Sequence, residues 1–488
     1  MMLKVSLPYQ RKSLEALFGR KRMGWVNVPE WLNEAIIKII QGQDKEIIRF
    51  DAGRIYKSFR SVTGYKVNTA TDPIFGPCKS AQRTFKRTLQ DEPDNKPHIL
   101  EYGNRESLAY VSGYLPITYG PIYNVLYELS TRLPDFSPKN VMDFGTGPAT
   151  VIWAAHEVWG SNIENFLGID ISEAMLRMAE NILSCQNKIQ NVEFKKYITY
   201  DPKTRYDLVV SAFTFNELPN DNIRQSILES LWNKTEDTLV LIEKGTPAGF
   251  KIIAEARKKI LLSSTKLQAE VNSQVDNHDN GSISKLTNYG AHVVAPCPHD
   301  GECPLIESRN WCHFSQRINR PSYLMQTKKV VGNNYEDSKY SYVILRRGPR
   351  PRVPAETSKK LEKLTREDAI DTELARDFST EAFHWARLIL PPIKRSGHIV
   401  MDYCSNTGHI ERMIIPKSQG KVPYRDARKA MWGDLFPHSP KKPAERRNIG
   451  IDKKHNKEEI YIMDEIEDDA NQENSPRKRN VPRKKKDL

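Results

Sequence analysis

The segment Val141-Met142-Asp143-Phe144-Gly145-Thr146-Gly147-Pro148-Ala149-Thr150 decides the fold of this chain. A short apolar strand runs directly into Gly145-Thr146-Gly147, and apolar residues then recur at helical spacing. Glycines at such a turn let the chain reverse tightly and let a ligand approach the backbone. Asp170 ends the next predicted strand, where a carboxylate can accept hydrogen bonds from both hydroxyls of a ribose. The segment therefore predicts a nucleotide-type cofactor site at the end of a parallel sheet.

Two classes of cofactor compete for this glycine loop. A dinucleotide site would prefer a third glycine where Thr150 stands, so that helix and strand pack closely around a pyrophosphate. Asp143 fits S-adenosylmethionine better, because a carboxylate can bind the amino group of this cofactor. S-adenosylmethionine also has no phosphate that the site would need to accommodate. We therefore expect Asp143, Gly145, Gly147 and Asp170 to bind S-adenosylmethionine. The alternative is a sheet that has kept its loop and binds nothing.

Beyond Asn140, short apolar runs alternate with helical patterns. The predicted strands are Val141–Phe144, Phe166–Ile169, Val192–Phe194, Leu208–Phe213, Leu239–Ile242, His292–Ala295 and Tyr342–Leu345. Such alternation is typical of a parallel α/β sheet, here the Rossmann-like sheet of class I methyltransferases. Residues 30–99 read mostly as helix, and a further helical pattern runs through Tyr123–Leu133.

The sequence carries a cofactor fold without a recognisable methyl-transfer apparatus. The strand ending near Phe213 leads into Thr214-Phe215-Asn216-Glu217-Leu218-Pro219, where the Asn/Asp-Pro-Pro-aromatic signature of amine methylation is absent. Glu217 could act as a general base, but Asn216 and Glu217 could equally cap the following helix, and capping or binding is the favoured interpretation.

Three of the six cysteines cluster as C-x5-C-x8-C at Cys297, Cys303 and Cys312. Three thiols leave a tetrahedral set incomplete, and His299, His313 or Cys404 could complete it. Zinc accepts three thiolates with an imidazole or four thiolates, whereas iron–sulfur clusters favour four thiolates. Six cysteines are too few for a disulfide scaffold, so we expect a metal site in a reducing compartment. Spacing alone leaves the type of metal open, and three unrelated buried thiols are the alternative.

The 488 residues carry a formal net charge of +13, with 39% hydrophobic and 28% charged residues. The last 50 residues hold 14 Lys/Arg against 11 Asp/Glu, so most of the positive excess lies in the preceding part and favours a polyanionic partner. No apolar run is long enough to span a bilayer. Residues 1–29 are basic with one acid, which makes them a candidate transit peptide, an ordinary basic helix being the alternative.

The stretch 417–429 is basic and is followed by further aromatic residues. Its cations could meet phosphates, and Tyr424, Trp432 and Phe436 could stack on unpaired bases. A solvated basic helix ending in a packed tryptophan is the alternative. The tail beyond 438 lacks apolar periodicity and should be disordered, and its basic blocks could be a nuclear address or an RNA-binding tail.

Together these segments resemble the methyltransferase-like assembly factors of the mitochondrial small ribosomal subunit. The matching segments are Tyr110–Tyr119, Asp143–Thr150, Glu243–Phe250 with Arg257, Cys297–Phe314 and Lys417–His438. The resemblance implies a location in the mitochondrial matrix and binding, as a monomer, to small-subunit rRNA and ribosomal proteins. It also implies a 4Fe–4S cluster held by Cys297, Cys303, Cys312 and Cys404, and S-adenosylmethionine bound without methyl transfer. The alternative function is an active S-adenosylmethionine-dependent rRNA methyltransferase, and a third is a zinc-stabilised RNA-binding module.

This interpretation divides the chain into six segments. They are a candidate transit peptide over 1–29, an N-terminal helical region over 30–133, a methyltransferase-like α/β domain over 134–350 with a cysteine-rich metal insertion at 296–330, a helical linker over 351–395, a small basic C-terminal region over 396–438 and a disordered charged tail over 439–488.

Overall fold

The computed structural model describes residues 12–62, 101–198, 201, 203–275, 290–306, 308, 310–328, 333–351 and 377–447. Cys78 and most of the predicted linker and charged tail lie outside the described residues. Among the described helices, none is both long and apolar enough to cross a membrane. The described residues form two β-sheets with helices packed around them.

The larger sheet has nine strands. They are β1 (Trp25–Val26), β2 (Asn140–Phe144), β3 (Asn165–Ile169), β4 (Val192–Lys195), β5 (Tyr206–Ala212), β6 (Thr235–Lys244), β7 (Ala291–Ala295), β8 (Phe314–Asn319) and β9 (Tyr335–Arg347). Their order is β1-β8-β9-β6-β5-β2-β3-β4, and β7 also pairs with β9. Strands β2 to β6 pair in parallel, whereas β9 is antiparallel to β6. This arrangement confirms the predicted Rossmann-like methyltransferase sheet.

Ten described α-helices accompany these strands, and several of them cover the two faces of the sheet. The ten helices are α1 (Leu14–Phe18), α2 (Glu30–Ile40), α3 (Lys45–Val62), α4 (Asn104–Gly113), α5 (Leu115–Arg132), α6 (Thr150–Trp159), α7 (Glu173–Ser184), α8 (Asp221–Lys234), α9 (Pro247–Val275) and α10 (Ser322–Lys328). Successive strand residues alternate between two apolar cores, with Val210 in one and Val209 in the other. Because both faces are buried, the central strands are apolar throughout, which is why they could be predicted.

A second, antiparallel sheet follows in the C-terminal part. Its strands are β10 (Ala386–Leu388), β11 (Ile393–Arg395), β12 (His398–Cys404), β13 (Ile410–Pro416), β14 (Leu435–Phe436) and β15 (Glu445–Arg446), accompanied by α11 (Phe378–Glu381) and α12 (Lys421–Lys429). The order is β14-β10-β12-β13-β15, with β11 also on β12. The predicted boundary between 395 and 396 was wrong, because β10 and β11 belong to this sheet and not to a helical linker. The predicted tail also began too early, since β15 pairs with β13.

The candidate transit peptide overlaps the folded structure. Lys21 is buried and its Nζ lies 2.6 Å from Glu128 Oε2, while β1 pairs with β8. The backbone N–H of Leu435 donates to the carbonyl of Gly19 at 2.7 Å. Cleavage at residue 29 would remove these contacts, so residues 12–29 are built into the fold. A transit peptide remains a prediction for the stretch before residue 12, which lies outside the described residues.

Candidate cofactor and cysteine sites

The glycine loop sits at the carboxyl end of β2, between β2 and β5, where the strand order reverses direction. Ligands of open α/β sheets bind at this switch point. Gly145 has φ +73° and a Cβ there would lie 2.1 Å from Thr214 Oγ1, so the position excludes a side chain. Gly147 has φ +51°, and a Cβ there would meet no atom within 4 Å. The loop thus packs against β5 on one side and leaves open space on the other.

Asp170 lies beside this loop, as predicted. Its Oδ2 accepts from the backbone N–H of Gly147 and its Oδ1 from that of Ser172, both at 2.8 Å. Each carboxylate oxygen keeps a second lone pair for a ligand hydroxyl. Burial raises the pKa of Asp170 and the two backbone donors oppose that shift. The carboxylate therefore holds the loop in shape and remains able to accept from a ribose.

Asp143 is buried beneath the loop. Thr146 Oγ1 donates to its Oδ2 at 2.7 Å, and Oδ1 has no partner among the described residues. Burial raises the pKa of Asp143 to about 7. An unpartnered buried carboxylate oxygen is costly unless a donor or a cation meets it. The amino group of S-adenosylmethionine supplies such a charge, so Asp143 fits the predicted cofactor.

Further acids converge on the same end of the sheet. The buried Glu243 of β6 accepts from the backbone N–H of Asn216 at 3.1 Å through Oε1, and its Oε2 has no partner within the described part of the chain. Burial raises the pKa of Glu243 to about 7. Burial also raises the pKa of Tyr110, and the charges of Glu217, Asp170 and Asp143 raise it further. Tyr110 and Glu243 thus belong to the site, and nothing local in the sequence separated them from ordinary core residues.

The helix-capping interpretation of Asn216 and Glu217 was wrong. Residues Phe215–Glu217 form a single 3₁₀ turn, and the side chain of Asn220 caps α8 by accepting from the N–H of Ile223 at 2.9 Å. Glu217 Oε1 instead accepts from the hydroxyl of Tyr102 at 3.2 Å. Glu217 is solvent-exposed, yet desolvation by nearby protein raises its pKa. Its carboxyl therefore stands at the open side of the cofactor site.

The four predicted cluster ligands come from two separate segments. Cys297 and Cys303 lie in the loop after β7, Cys312 precedes β8, and Cys404 ends β12 of the second sheet. All four are free thiols and line one cavity. The remaining lining is largely apolar and includes Phe250, Ile253, Pro296, Pro304, Leu305 and Ile410. Cys404 is distant from the other three cysteines in sequence, and the docking of the second sheet brings it next to them.

Burial makes the thiols of Cys303, Cys312 and Cys404 reluctant to ionise without a ligand. Desolvation and the neighbouring Cys297 raise the pKa of Cys303 to about 11, and the pKa values of Cys312 and Cys404 are raised as well. Within the described ranges, no three His, Cys, Asp or Glu side chains are arranged to hold a metal ion. The donor set of four thiols around one apolar cavity nevertheless fits an iron–sulfur cluster in its chemistry.

The two histidines considered as ligands occupy different places. His299 is buried and its Nε2 lies 3.3 Å from the Sγ of Cys404. His313 contacts the carbonyl of Trp311 at 3.1 Å through Nδ1 and packs its ring edge-on against Trp432. His299 thus neighbours the thiols, whereas His313 contributes to aromatic packing.

The basic C-terminal stretch forms α12 and its flanks. Lys421 and Arg428 are exposed, and Lys417 Nζ lies 6.0 Å from the Tyr424 ring. Phe436 is buried in the core of the second sheet, and Trp432 packs on His313. Phe436 therefore offers no face for stacking bases, whereas Trp432 is only partly buried and the exposed cations remain available.

The fold and the acid-lined glycine loop define a protein of the Rossmann-like methyltransferase class, here with a second sheet that contributes a cysteine. Residues 104–437 match the family described as mitochondrial small ribosomal subunit Rsm22, and the chain belongs to this family.

Named relatives agree with this assignment. The human mitochondrial ribosome assembly protein METTL17 is 31% identical over 344 residues, which cover 69% of this chain and 64% of that protein. The Schizosaccharomyces pombe Rsm22-cox11 tandem protein 2 is 30% identical, covering 81% of this chain and 49% of that protein. The Saccharomyces cerevisiae mitochondrial ribosome assembly protein RSM22 is 28% identical, covering 68% and 67%. The chain thus spans about half to two thirds of the length of these relatives.

Solved methyltransferase structures are among those to which this chain is similar. The magnesium protoporphyrin IX methyltransferase of Synechocystis is 13% identical over 55% of this chain and 95% of its own length, with a TM-score of 0.26. The assignment of the fold rests on strand order and not on this superposition.

Proposed function

We propose that this protein is a mitochondrial small ribosomal subunit assembly factor that acts in the matrix. Family membership supports the role, since named relatives are mitochondrial ribosome assembly proteins. In this proposal the protein binds small-subunit rRNA and neighbouring ribosomal proteins as a monomer, carries a 4Fe–4S cluster, and binds S-adenosylmethionine without transferring its methyl group.

The observation that carries the cluster proposal is the shared cavity of Cys297, Cys303, Cys312 and Cys404. These residues would hold the cluster, which supplies a rigid cross-link between thiolates of distant segments when bound. Because Cys404 comes from the second sheet, the cluster would fix that sheet against the α/β domain. Its role here is structural: it positions the basic C-terminal part on the rest of the protein.

The cofactor proposal rests on Asp143, Asp170 and the two loop glycines. S-adenosylmethionine carries positive charge at its sulfonium and amino groups. The site offers buried carboxylates, and no arginine of the described residues forms an ion pair with them. The segment after β5 lacks the amine-methylation signature. Occupancy would therefore stabilise the loop and its neighbours, and the methyl group would stay in place.

The rRNA proposal rests on charge. The chain has a net charge of +13, and α12 presents Lys421 and Arg428 to solvent. Such cations bind phosphates and release counterions, so binding should weaken steeply with salt. Phosphate contacts position a protein on RNA without reading its sequence.

An active rRNA methyltransferase is the second candidate, and Glu217 favours it. Its carboxyl has a raised pKa, accepts from Tyr102 and stands at the open side of the cofactor site. A base placed there could take a proton from a methylated nitrogen or hydroxyl. Labelled methyl transfer to small-subunit rRNA would establish this candidate, and its absence at full cofactor occupancy would exclude it.

Anaerobic purification tests the assembly-factor proposal first. We expect a brown protein with iron and sulfide near about four each per chain. One zinc without sulfide would overturn the cluster and favour the zinc-stabilised RNA binder. Cross-linking in mitochondria should then recover small-subunit rRNA, whereas recovery of no ribosomal RNA would overturn the assembly role itself.

A further inference from the structure

Arg257 of α9 is a buried cation that faces the cysteine cavity. It is only 3% exposed and lines the cavity together with the four thiols. Its Nη2 donates to the carbonyl of His299 at 2.8 Å, and its Nε has no partner among the described residues. Nor does Arg257 form an ion pair with any Asp or Glu in the described ranges. Its one hydrogen bond within the described residues is to a neutral carbonyl.

Two other arginines whose charges reach these thiols differ from Arg257 in this respect. Arg387 forms an ion pair with Glu128 at 2.7 Å, and Arg350 forms one with Asp300 at 2.9 Å. Each of these cations therefore contacts a carboxylate, although Arg387 shares Glu128 with Lys21. The charge of Arg257 is balanced by no carboxylate of the described residues, although Arg257 lines the same cavity as Cys303, Cys312 and Cys404.

A buried charge without a counter-charge is strongly unfavourable. Uncharged thiols would not provide one. Four thiolates around a dication, whether an oxidised 4Fe–4S core or a zinc ion, carry a net charge of −2. A cation fixed at the wall of the cavity therefore matches an occupied cavity better than an empty one.

We propose that Arg257 is a positioning residue that supplies the counter-charge for a thiolate-bound metal group, an inference that rests on the proposed cluster site. Arg257 is not a ligand. It stabilises the thiolates of Cys303, Cys312 and Cys404 once the metal group is present, and through its hydrogen bond to His299 it holds the loop between Cys297 and Cys303.

Three substitutions separate charge from packing. Arg257→Lys keeps the charge, Arg257→Gln keeps an N–H donor without charge, and Arg257→Met keeps only apolar length. Lys258→Met is the matched control, because Lys258 is the next residue, does not line the cavity and pairs with Glu302 of the same loop at 2.7 Å, so it removes a contact to that loop without removing a charge from the cavity. Circular dichroism and thermal melting report whether each variant folds.

The measurements are iron and sulfide per chain, the rate of iron loss to a chelator without oxygen, and the midpoint potential of the cluster. We expect the Gln and Met variants to lose iron about tenfold faster or more, which corresponds to roughly 1.4 kcal/mol. Their potentials should shift to more negative values, because a nearby cation favours the reduced, more negative cluster. Arg257→Lys and Lys258→Met should stay close to the wild type in both measurements.

The outcomes distinguish a failure of the role of Arg257 from a failure of the cluster proposal on which that role depends. A wild-type protein that holds no metal would overturn the cluster itself. A wild-type cluster whose potential and iron loss are unchanged in Arg257→Gln would overturn the role of Arg257 alone. If Lys, Gln and Met variants all lost iron equally at an unchanged potential, Arg257 would be a packing residue. If the wild type held zinc, the rate of zinc loss would provide the same comparison.

Discussion

Arg387 Nη2 lies 2.7 Å from Glu128 Oε1, although 259 residues separate the two in sequence. Lys21 Nζ and the hydroxyl of Tyr342 each lie 2.6 Å from Oε2 of the same carboxylate. One buried carboxylate thus joins the N-terminal segment, the large sheet and the second sheet. Arg387 also donates to the carbonyl of Pro296 at 2.9 Å and is paired with Cys404 in the register of β10 and β12. The cysteine cavity is therefore built upon this ionic cluster.

Replacing Glu128 with Gln should destabilise the fold by about 3–5 kcal/mol, because it leaves Lys21 and Arg387 buried without their counter-charge. Chemical denaturation followed by fluorescence measures the change. Glu180→Gln is the control, since Glu180 is exposed on α7, and it should change the free energy of unfolding by less than about 0.5 kcal/mol. Equal stability of the two variants would contradict the role of the cluster.

The same carboxylate predicts a dependence of stability on pH. Burial opposes ionisation of Glu128, but the charges of Arg387 and Lys21 outweigh it and hold its pKa well below the usual range. A lowered carboxyl pKa contributes stability that is present at neutral pH and is lost as pH falls below about 4.3, the ordinary value of a glutamate. The free energy of unfolding measured between pH 6 and 3 should fall less steeply in Glu128→Gln than in the wild type.

Cys303→Ser should lose iron and rRNA binding together, because the cluster would hold the basic C-terminal part in place. Cys185→Ser is the matched control, since Cys185 is also a free thiol but lies at the end of α7, away from the cavity. We expect the control to keep its iron and the Cys303→Ser protein to bind small-subunit rRNA at least about tenfold more weakly, a difference of roughly 1.4 kcal/mol. Full rRNA binding by the iron-free variant would contradict a structural role for the cluster.

Local apolar patterns predicted the central strands of the large sheet. The strands that these patterns missed form only by pairing with segments that are distant in sequence. The apolar runs around Val141 and Leu208 are strands because both faces of the sheet are covered, a signal that each run carries by itself. Strand β8 buries Phe314, Gln316 and Ile318, but only two of its six residues are apolar, and β10 and β11 have three residues each. Such short or mixed strands exist only because partners elsewhere pair with them, so no window of sequence reveals them.

The residues of the sites show the same contrast between local sequence signals and long-range contacts. The glycine loop and Asp170 were found because a strand, a turn and a carboxylate follow one another in a known order. Glu128 was missed because its partners, Lys21 and Arg387, are 107 and 259 residues away. Cys404 was assigned to the cysteine set only through the resemblance, since spacing left two histidines equally available.

Alanine at the two loop glycines should have unequal effects. Both positions have positive φ, which costs an alanine about 1–2 kcal/mol. At Gly145 the added Cβ would also collide with the Thr214 side chain, whereas at Gly147 it meets nothing. Gly145→Ala should therefore be the more destabilised variant in thermal melting. Gly147→Ala should keep most of its stability and weaken S-adenosylmethionine binding, because the methyl group enters the open space of the site.

Binding of S-adenosylmethionine should strengthen as pH rises towards 7 and then level off. Burial raises the pKa of Asp143 to about 7, so below that pH the carboxyl is protonated in the free protein. A cationic ligand favours the ionised carboxylate, and binding at pH 6 must therefore release a proton. Linkage limits the loss of affinity to about tenfold for each pH unit below 7.

Isothermal titration calorimetry between pH 5.5 and 8 measures this dependence, and two buffers of different ionisation enthalpy count the protons released. Asp143→Asn cannot ionise, so it should bind more weakly at pH 8 and lose the part of the pH dependence that belongs to this residue. The raised pKa of the buried Glu243 acts in the same direction, so Glu243→Gln is the comparison. A pH dependence that persists in Asp143→Asn and disappears in Glu243→Gln would move the cation-binding role from β2 to β6. Equal affinity across the whole range in the wild type would show that neither carboxyl meets the charge of the ligand.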